Sequence, residues 1–285
     1  MKVLIALATL AISVSIYASD SAIYDIMYLP NLGTNFGFSE VEFVRKGVKA
    51  DGGDLAVSGY GLTQTIGRSM SNRLTVAGSF GYGNFKLDPE NDPNTKQDGM
   101  SDPTFAIRYR ALDEDFILDI VGGTLLSFGD SKQEADGDTD NLQGGHAVFI
   151  GAQVGKKSDN FQWAILGEIT QNLARTVDIE DVGDIDIDPT KDLLLKADIL
   201  KKLKEKNYLR SFLSMKFMEE LKATDENDTI DAANSIYTIG TEYQYLYSQE
   251  ILLRGGVEYT SENYNSGIVE SDNNWTLRLA ANYQF

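Results

Sequence analysis

Trp275-Thr-Leu-Arg-Leu-Ala-Ala-Asn-Tyr-Gln-Phe285 closes the chain and decides its reading. Trp275, Leu277, Leu279, Ala281, Tyr283 and Phe285 share one face of an extended strand, while Thr276, Arg278, Ala280, Asn282 and Gln284 share the other. Side chains alternate across a strand, so such a segment is at rest only with one face in an apolar medium and the other in a polar one. A tilted strand needs about 9–11 residues to cross a hydrocarbon core. The stretch therefore predicts a transmembrane β-strand, and transmembrane strands exist only in closed barrels because a lipid-exposed sheet edge would leave backbone groups unpaired.

The same skip-one pattern recurs upstream. It runs through Leu74-Val76-Gly78-Phe80-Tyr82, Phe105-Ile107-Tyr109-Ala111, Trp163-Ile165-Gly167-Ile169, Tyr237-Ile239-Thr241-Tyr243-Tyr245 and Ile251-Leu253-Gly255-Val257-Tyr259. The spacing predicts strands over about 34–46, 54–68, 72–86, 103–112, 116–128, 144–156, 161–176, 191–201, 208–220, 234–247, 250–261 and 274–285. That is an all-β fold: a transmembrane antiparallel up-and-down β-barrel of about twelve strands, occupying residues 34–285 as one domain. Short connections near 69–71, 113–115, 156–160, 201–207 and 248–249 alternate with long acidic ones at about 47–53, 87–102, 129–143, 177–190, 221–233 and 262–273. Barrels place short turns in the periplasm and long loops outside, so both termini are expected on the periplasmic side and the long loops are expected to be mobile. Lys201–Asn207 is read as a solvated turn in preference to a short helix. Tyr109, Phe116, Phe161, Trp163, Tyr243, Tyr245, Tyr247, Tyr283 and Phe285 gather at the short-turn ends, as a periplasmic aromatic girdle would.

Residues 1–18 show the charged start, short apolar core and small-residue exit of a cleaved signal peptide, with cutting after Ala18 preferred and Ala22 as the alternative. Residues 19–33 do not alternate; they form either a periplasmic N-terminal extension, the plainer reading, or a small plug. With 42% hydrophobic and 24% charged residues and a mean hydropathy of −0.24, composition alone resembles that of a soluble protein. Alternation hides the lipid face from any such average. Cysteine is absent, which excludes disulfides and thiol chemistry. A net charge of −18 argues against nucleic-acid binding.

The face opposite the lipid row collects Arg73, Arg108, Arg110, Asp119, Glu168, Asp192, Lys196, Asp198, Arg210, Lys216, Glu242, Arg254, Glu258 and Arg278 as expected pore-lining residues. Charges inside a barrel must be paired or hydrated. The set fits either a water-filled passage or a lumen sealed by salt bridges; twelve strands lie between the filled small barrels and the open porins. Val121, Leu125, Phe149, Leu166, Leu194, Phe212 and Leu252 fall on the same row, as an apolar lining or as fillers.

Other clusters are weaker. The run Asp178–Asp188 could gather cations, yet its interleaved Ile179, Ile185 and Ile187 favour a strand extension above the membrane. Asp136-Gly137-Asp138-Thr139-Asp140-Asn141 starts like a calcium loop but has Asn141 at the turn position and Ala147 where a bidentate Glu belongs. His146 is the lone histidine and sits at the outer rim on the lipid-side row, without the neighbouring Ser that a hydrolytic pair requires. No catalytic residue, metal site or cofactor is therefore expected, and the chain is not read as an enzyme.

Two resemblances add to this. Tyr283-Gln284-Phe285 resembles the terminal signal by which bacterial outer-membrane barrels are recognised, implying Tyr283 and Phe285 as an insertion signal, the bacterial outer membrane as location, and the barrel-assembly machinery and periplasmic chaperones as partners. Gly99-Met100-Ser101-Asp102-Pro103, Arg108-Tyr109-Arg110, Gly122-Gly123-Thr124-Leu125-Leu126-Ser127-Phe128-Gly129-Asp130 and Gly144-Gly145 resemble the phenol meta-pathway family of outer-membrane transporters, although the Pro usual before the last Gly-Asp is missing. That resemblance spans about residues 99–175 and implies passage of small solutes, including aromatic or apolar compounds. The expectation is a passive pore; the alternative is a structural or surface-interaction protein whose acidic loops meet lipopolysaccharide through divalent cations.

Overall fold

A computed structural model describes residues 26–27, 29–50, 55–89, 95–128, 131–133, 139–140, 145–179, 183–222, 229–231, 234–264 and 269–285. The signal-peptide expectation at 1–18 and most of the calcium-like segment at 136–141 lie outside them. The barrel strands are β1 (Asn35–Ala50), β2 (Leu55–Ser71), β3 (Leu74–Pro89), β4 (Thr104–Asp113), β5 (Ile117–Leu125) and β6 (Ala147–Lys157). They continue as β7 (Phe161–Asn172), β8 (Thr190–Lys204), β9 (Asn207–Met218), β10 (Asn234–Leu246), β11 (Ile251–Tyr264) and β12 (Val269–Gln284). Each pairs antiparallel with its sequence neighbour, and β12 returns to β1 with Phe43 opposite Leu277 and Gly37 opposite Tyr283. The sheet is closed, so no edge strand meets lipid.

The alternation read from the sequence is the alternation of exposure. Ile107, Ile165, Ile239, Leu277 and Leu279 are exposed on the outer face, while Arg108, Leu166, Gln244 and Thr276 between or beside them are buried inside. The girdle residues Tyr109, Phe116, Phe161, Tyr243, Tyr245, Tyr247 and Phe285 are all exposed at the short-turn end. A mate for this belt lies at the long-loop end, where the Tyr259 and Trp275 rings pack 5.0 Å apart.

Boundaries depart from expectation mainly at the long-loop end. β1 and β12 run on past the expected limits, and Thr95–Met100 pairs with β3 above β4. Arg175–Ile179 and Gly183–Ile187 form a hairpin, so the described part of the acidic run is strand; Ser131–Gln133 pairs parallel with its first arm. Thr95–Met100 and Ser131–Gln133 fall in segments expected as mobile loops, whereas the hairpin agrees with the strand extension read from Ile179, Ile185 and Ile187. Backbone groups beyond the membrane still gain by pairing, and neighbouring loops supply the partners. At the other end the expected seven-residue turn 201–207 shrinks to Glu205 and Lys206, because β8 keeps pairing with β9 through Lys204.

For the N-terminal segment an extension into the periplasm was the plainer expectation and a small plug the alternative. Ile26 and Met27 are 2% and 5% exposed and pack with Ile117, Ala164, Leu200 and Tyr208 on the inner face at the short-turn end. The Ile26 amide donates to Gln162 Oε1 at 3.1 Å, and Ser69 Oγ of β2 donates to the Pro30 carbonyl at 2.8 Å. Ile26, Met27 and Pro30 therefore lie within the barrel mouth. Gly155 makes room for them: a Cβ there would stand 2.4 Å from Met27 Sδ.

Candidate functional site

The lumen of this barrel is a set of ion pairs arranged on the inward residues. Arg110 of β4 lies directly across from Asp119 of β5, with Arg108 two residues further along the same face. Arg108 Nε donates to Asp119 Oδ2 at 2.8 Å, Arg110 Nε donates to Oδ1 at 2.9 Å, and Asp119 is wholly buried. Gln153 of β6 accepts from Arg108 at 3.2 Å, and Arg110 Nη2 donates to the Met27 carbonyl. Two guanidiniums thus share one carboxylate, and one of them holds the N-terminal segment in place.

A second group forms between β8 and β9. Arg210 donates to Asp198 Oδ1 through Nε at 2.9 Å and Nη2 at 2.7 Å, and Lys196 Nζ stands 3.7 Å from Oδ2. Further up, Lys216 pairs with Asp192 at 3.1 Å. A third group joins β10, β11, β12 and β1. Arg278 bridges Glu258 at 2.8 Å and Glu42 at 3.5 Å, while Arg254 reaches Glu242 at 3.4 Å and lies 4.5 Å from the Phe38 ring centroid. Gln244 Nε2 donates to Glu242 Oε1 at 2.6 Å. Charge-assisted bonds of this kind offset the loss of hydration that an inward charge suffers.

Of the residues expected in the lumen, Arg108, Arg110, Asp119, Asp192, Lys196, Asp198, Arg210, Lys216, Glu242, Arg254, Glu258 and Arg278 all join these pairs. Glu168 faces inward above Gly151 and makes no salt bridge among the described residues. Arg73 is a correction: it sits in the two-residue turn between β2 and β3, exposed at the rim, because β2 keeps pairing as far as Ser71. Val121, Leu166 and Leu252 are buried on the inner face, and Leu125, Phe149, Leu194 and Phe212 are half-buried there.

Glu42, Lys46 and Glu262 were missed. Lys46 pairs with Glu262 at 3.4 Å near the long-loop end, and Glu42 serves Arg278 across the closure of the barrel. β1 carries Ser39 and Arg45 on its outward row and Phe36 and Phe38 on its inward one, which blurs its alternation. Its even-numbered charges, Glu40, Glu42 and Lys46, were the available signal.

His146 is exposed, and its Nδ1 accepts the Ser127 amide at 3.0 Å, so it holds a backbone turn. Beside it the buried Asp102 of the Gly-x-x-Asp-Pro stretch accepts the Phe128 amide at 3.1 Å. No group of His, Asp or Glu with metal-holding geometry occurs among the described residues.

No family model matches the chain, and no curated protein does. Among solved structures it is similar to the COG4313 outer membrane channel from Pseudomonas putida F1, at 13% identity and a TM-score of 0.70, over 94% of this chain and 99% of that one. It is also similar to the translocator domain of the autotransporter NalP from Neisseria meningitidis, at 13% identity and a TM-score of 0.52, over 90% of each chain. The NanC porin aligns at 9% identity and a TM-score of 0.50, over 87% of this chain and 100% of its own. At these identities the likeness is one of fold, and the chain is a twelve-stranded transmembrane β-barrel of the kind that outer-membrane proteins build.

Proposed function

We propose that this barrel is a bacterial outer-membrane channel for passive passage of small solutes, narrowed at its periplasmic end by Ile26, Met27 and Pro30. The observation that carries the reading is a polar, ion-paired lumen inside an apolar exterior, in a fold shared over nearly its whole length with an outer membrane channel. Small aromatic or apolar compounds are the finer proposal. It draws on the resemblance of residues 99–175 to the meta-pathway transporters and on Val121, Leu166 and Leu252 lying between the charged groups.

The competing reading is a closed scaffold that meets surface partners through its acidic loops, and the near-complete burial of Asp119, Asp198 and Arg108 favours it. Conductance in planar bilayers separates the two. A channel shows discrete single-channel steps and admits small solutes into liposomes; a correctly folded barrel with neither would reject the channel reading.

The proposed insertion signal has a structural counterpart. Phe285 exchanges backbone hydrogen bonds with Asn35 at 3.0 and 3.2 Å, which completes the last rung of the closure. Tyr283 lies flat over Gly37, where a Cβ would stand 2.4 Å from its ring, and its hydroxyl accepts from Gln64 Nε2 at 2.8 Å. Phe285→Asp should leave export intact and reduce outer-membrane assembly by roughly tenfold, since the terminal girdle aromatic is replaced by a charge on the lipid face. A heat-modifiable band at wild-type level in the outer membrane would contradict the role given to Phe285 and with it the expected engagement of the assembly machinery.

A further inference from the structure

Six lysines, Lys156, Lys157, Lys201, Lys202, Lys204 and Lys206, lie at the strand ends and turns of two adjacent short connections in a chain whose net charge is −18. The Lys202 amide donates to the Asn160 carbonyl at 3.0 Å, so the two turns form one platform at the base of β6, β7, β8 and β9. Asp159 and Glu205 are the acids within it, and Asp113, Glu114 and Asp115 flank it in the preceding turn.

Two of these lysines stand on the lipid face itself. Lys156 is the cross-strand partner of Trp163, and Lys201 is the partner of Phe161. Lys156 Nζ lies 5.3 Å from the centroid of the Phe116 ring, which meets Trp163 edge-on at 6.3 Å. Neither lysine forms a salt bridge among the described residues. Cations therefore straddle an aromatic strand at the level where the apolar wall ends.

We infer that this rim binds the headgroup phosphates of anionic phospholipids in the periplasmic leaflet. A lysine stem can run along apolar wall and release its ammonium at the headgroup layer, and flanking aromatic rings settle at the same depth. Such an ammonium finds its counter-ion in the lipid, because the side chains on this face are turned toward the bilayer and away from any soluble surface. The choice of leaflet rests on the outer-membrane reading above; headgroup binding itself does not depend on whether the lumen conducts.

The test uses the full-length mature chain, refolded in nanodiscs of phosphatidylethanolamine and phosphatidylglycerol and, in a parallel set, in nanodiscs that also hold lipopolysaccharide, with retained lipids counted by native mass spectrometry. Phosphatidylglycerol should be enriched by wild type, and the enrichment should fall about fivefold in the Lys156→Gln, Lys201→Gln double variant, given the attraction of each interfacial lysine for an anionic surface. Lys86→Gln with Lys222→Gln, at the long-loop end where each pairs with an acid, should leave it unchanged. If the first double variant does not fold, Lys204→Gln with Lys206→Gln, in and beside the solvated turn, replaces it. No enrichment by wild type, or enrichment that survives the substitutions, would overturn the inference. Preference for lipopolysaccharide over phosphatidylglycerol, lost in the same variant, would place the rim in the other leaflet and overturn it as well.

Discussion

Asp119→Ala should destabilise the barrel by roughly 3–5 kcal/mol, the usual cost of removing one partner from a buried ionic group. Arg108 and Arg110 both spend their Nε donors on this carboxylate, and all three residues are buried. Without it, two like charges remain side by side on β4, and the Gln153 amide oxygen, the Met27 carbonyl and the rim carboxylate of Asp113, 3.6 Å from Arg110, are weaker answers to them than a shared buried carboxylate. Asp119→Asn keeps the shape and one acceptor, so its effect should fall between wild type and alanine. Denaturant unfolding in detergent, followed through the fluorescence of Trp163 and Trp275, measures this. A loss under about 1 kcal/mol for the alanine variant would mean that water reaches the trio freely and that the pairing is not what holds β4 to β5.

Deleting residues 19–30 should raise single-channel conductance by about threefold or more, because twelve strands leave a lumen between the filled small barrels and the open porins, and a chain segment in its mouth narrows whatever path it holds. Ile26, Met27 and Pro30 occupy the short-turn mouth, held by Gln162, Arg110 and Ser69. The deletion also exposes Ile117, Leu200 and Tyr208 to the lumen, so the shortened barrel should unfold at lower denaturant than wild type. The paired readings discriminate. Lower stability with unchanged conductance would show that these residues fill the mouth without controlling passage, and a silent barrel in both forms would favour the scaffold reading.

Strand periodicity carried most of the fold. The inward charges on β4 to β12 were assigned by parity alone, and β-sheet geometry leaves little freedom there: a register slip of one residue would turn Arg108, Asp198 and Arg278 to lipid and Ile107, Ile199 and Leu277 to the lumen. β1 was less legible. Its outward row includes Ser39 and Arg45, and at the closure the polar Ser39 and Gln64 are tolerated on the outside because they bond to each other at 2.6 Å and to Tyr283. Those partners lie far apart in sequence, so a local reading had no means of finding Glu42 opposite Arg278.

What the sequence by itself determined was therefore the set of residues that share a face, since a period of two is a local property of extended backbone. Twelve strands, a lipid row, a luminal row and an aromatic belt all follow from it. Which luminal charge meets which was decided by tertiary structure. Arg210 finds Asp198 and Arg278 finds Glu258 only once the stagger between neighbouring strands is set, and Arg73 falls out of the lumen because β2 pairs as far as Ser71 before turning. The place of Ile26, Met27 and Pro30 was decided there too. Their sequence has no alternation and no charge pattern to read, and what holds them is a hollow lined by Ile117, Ala164, Leu200 and Tyr208 that exists only when four separate strands have come together around it.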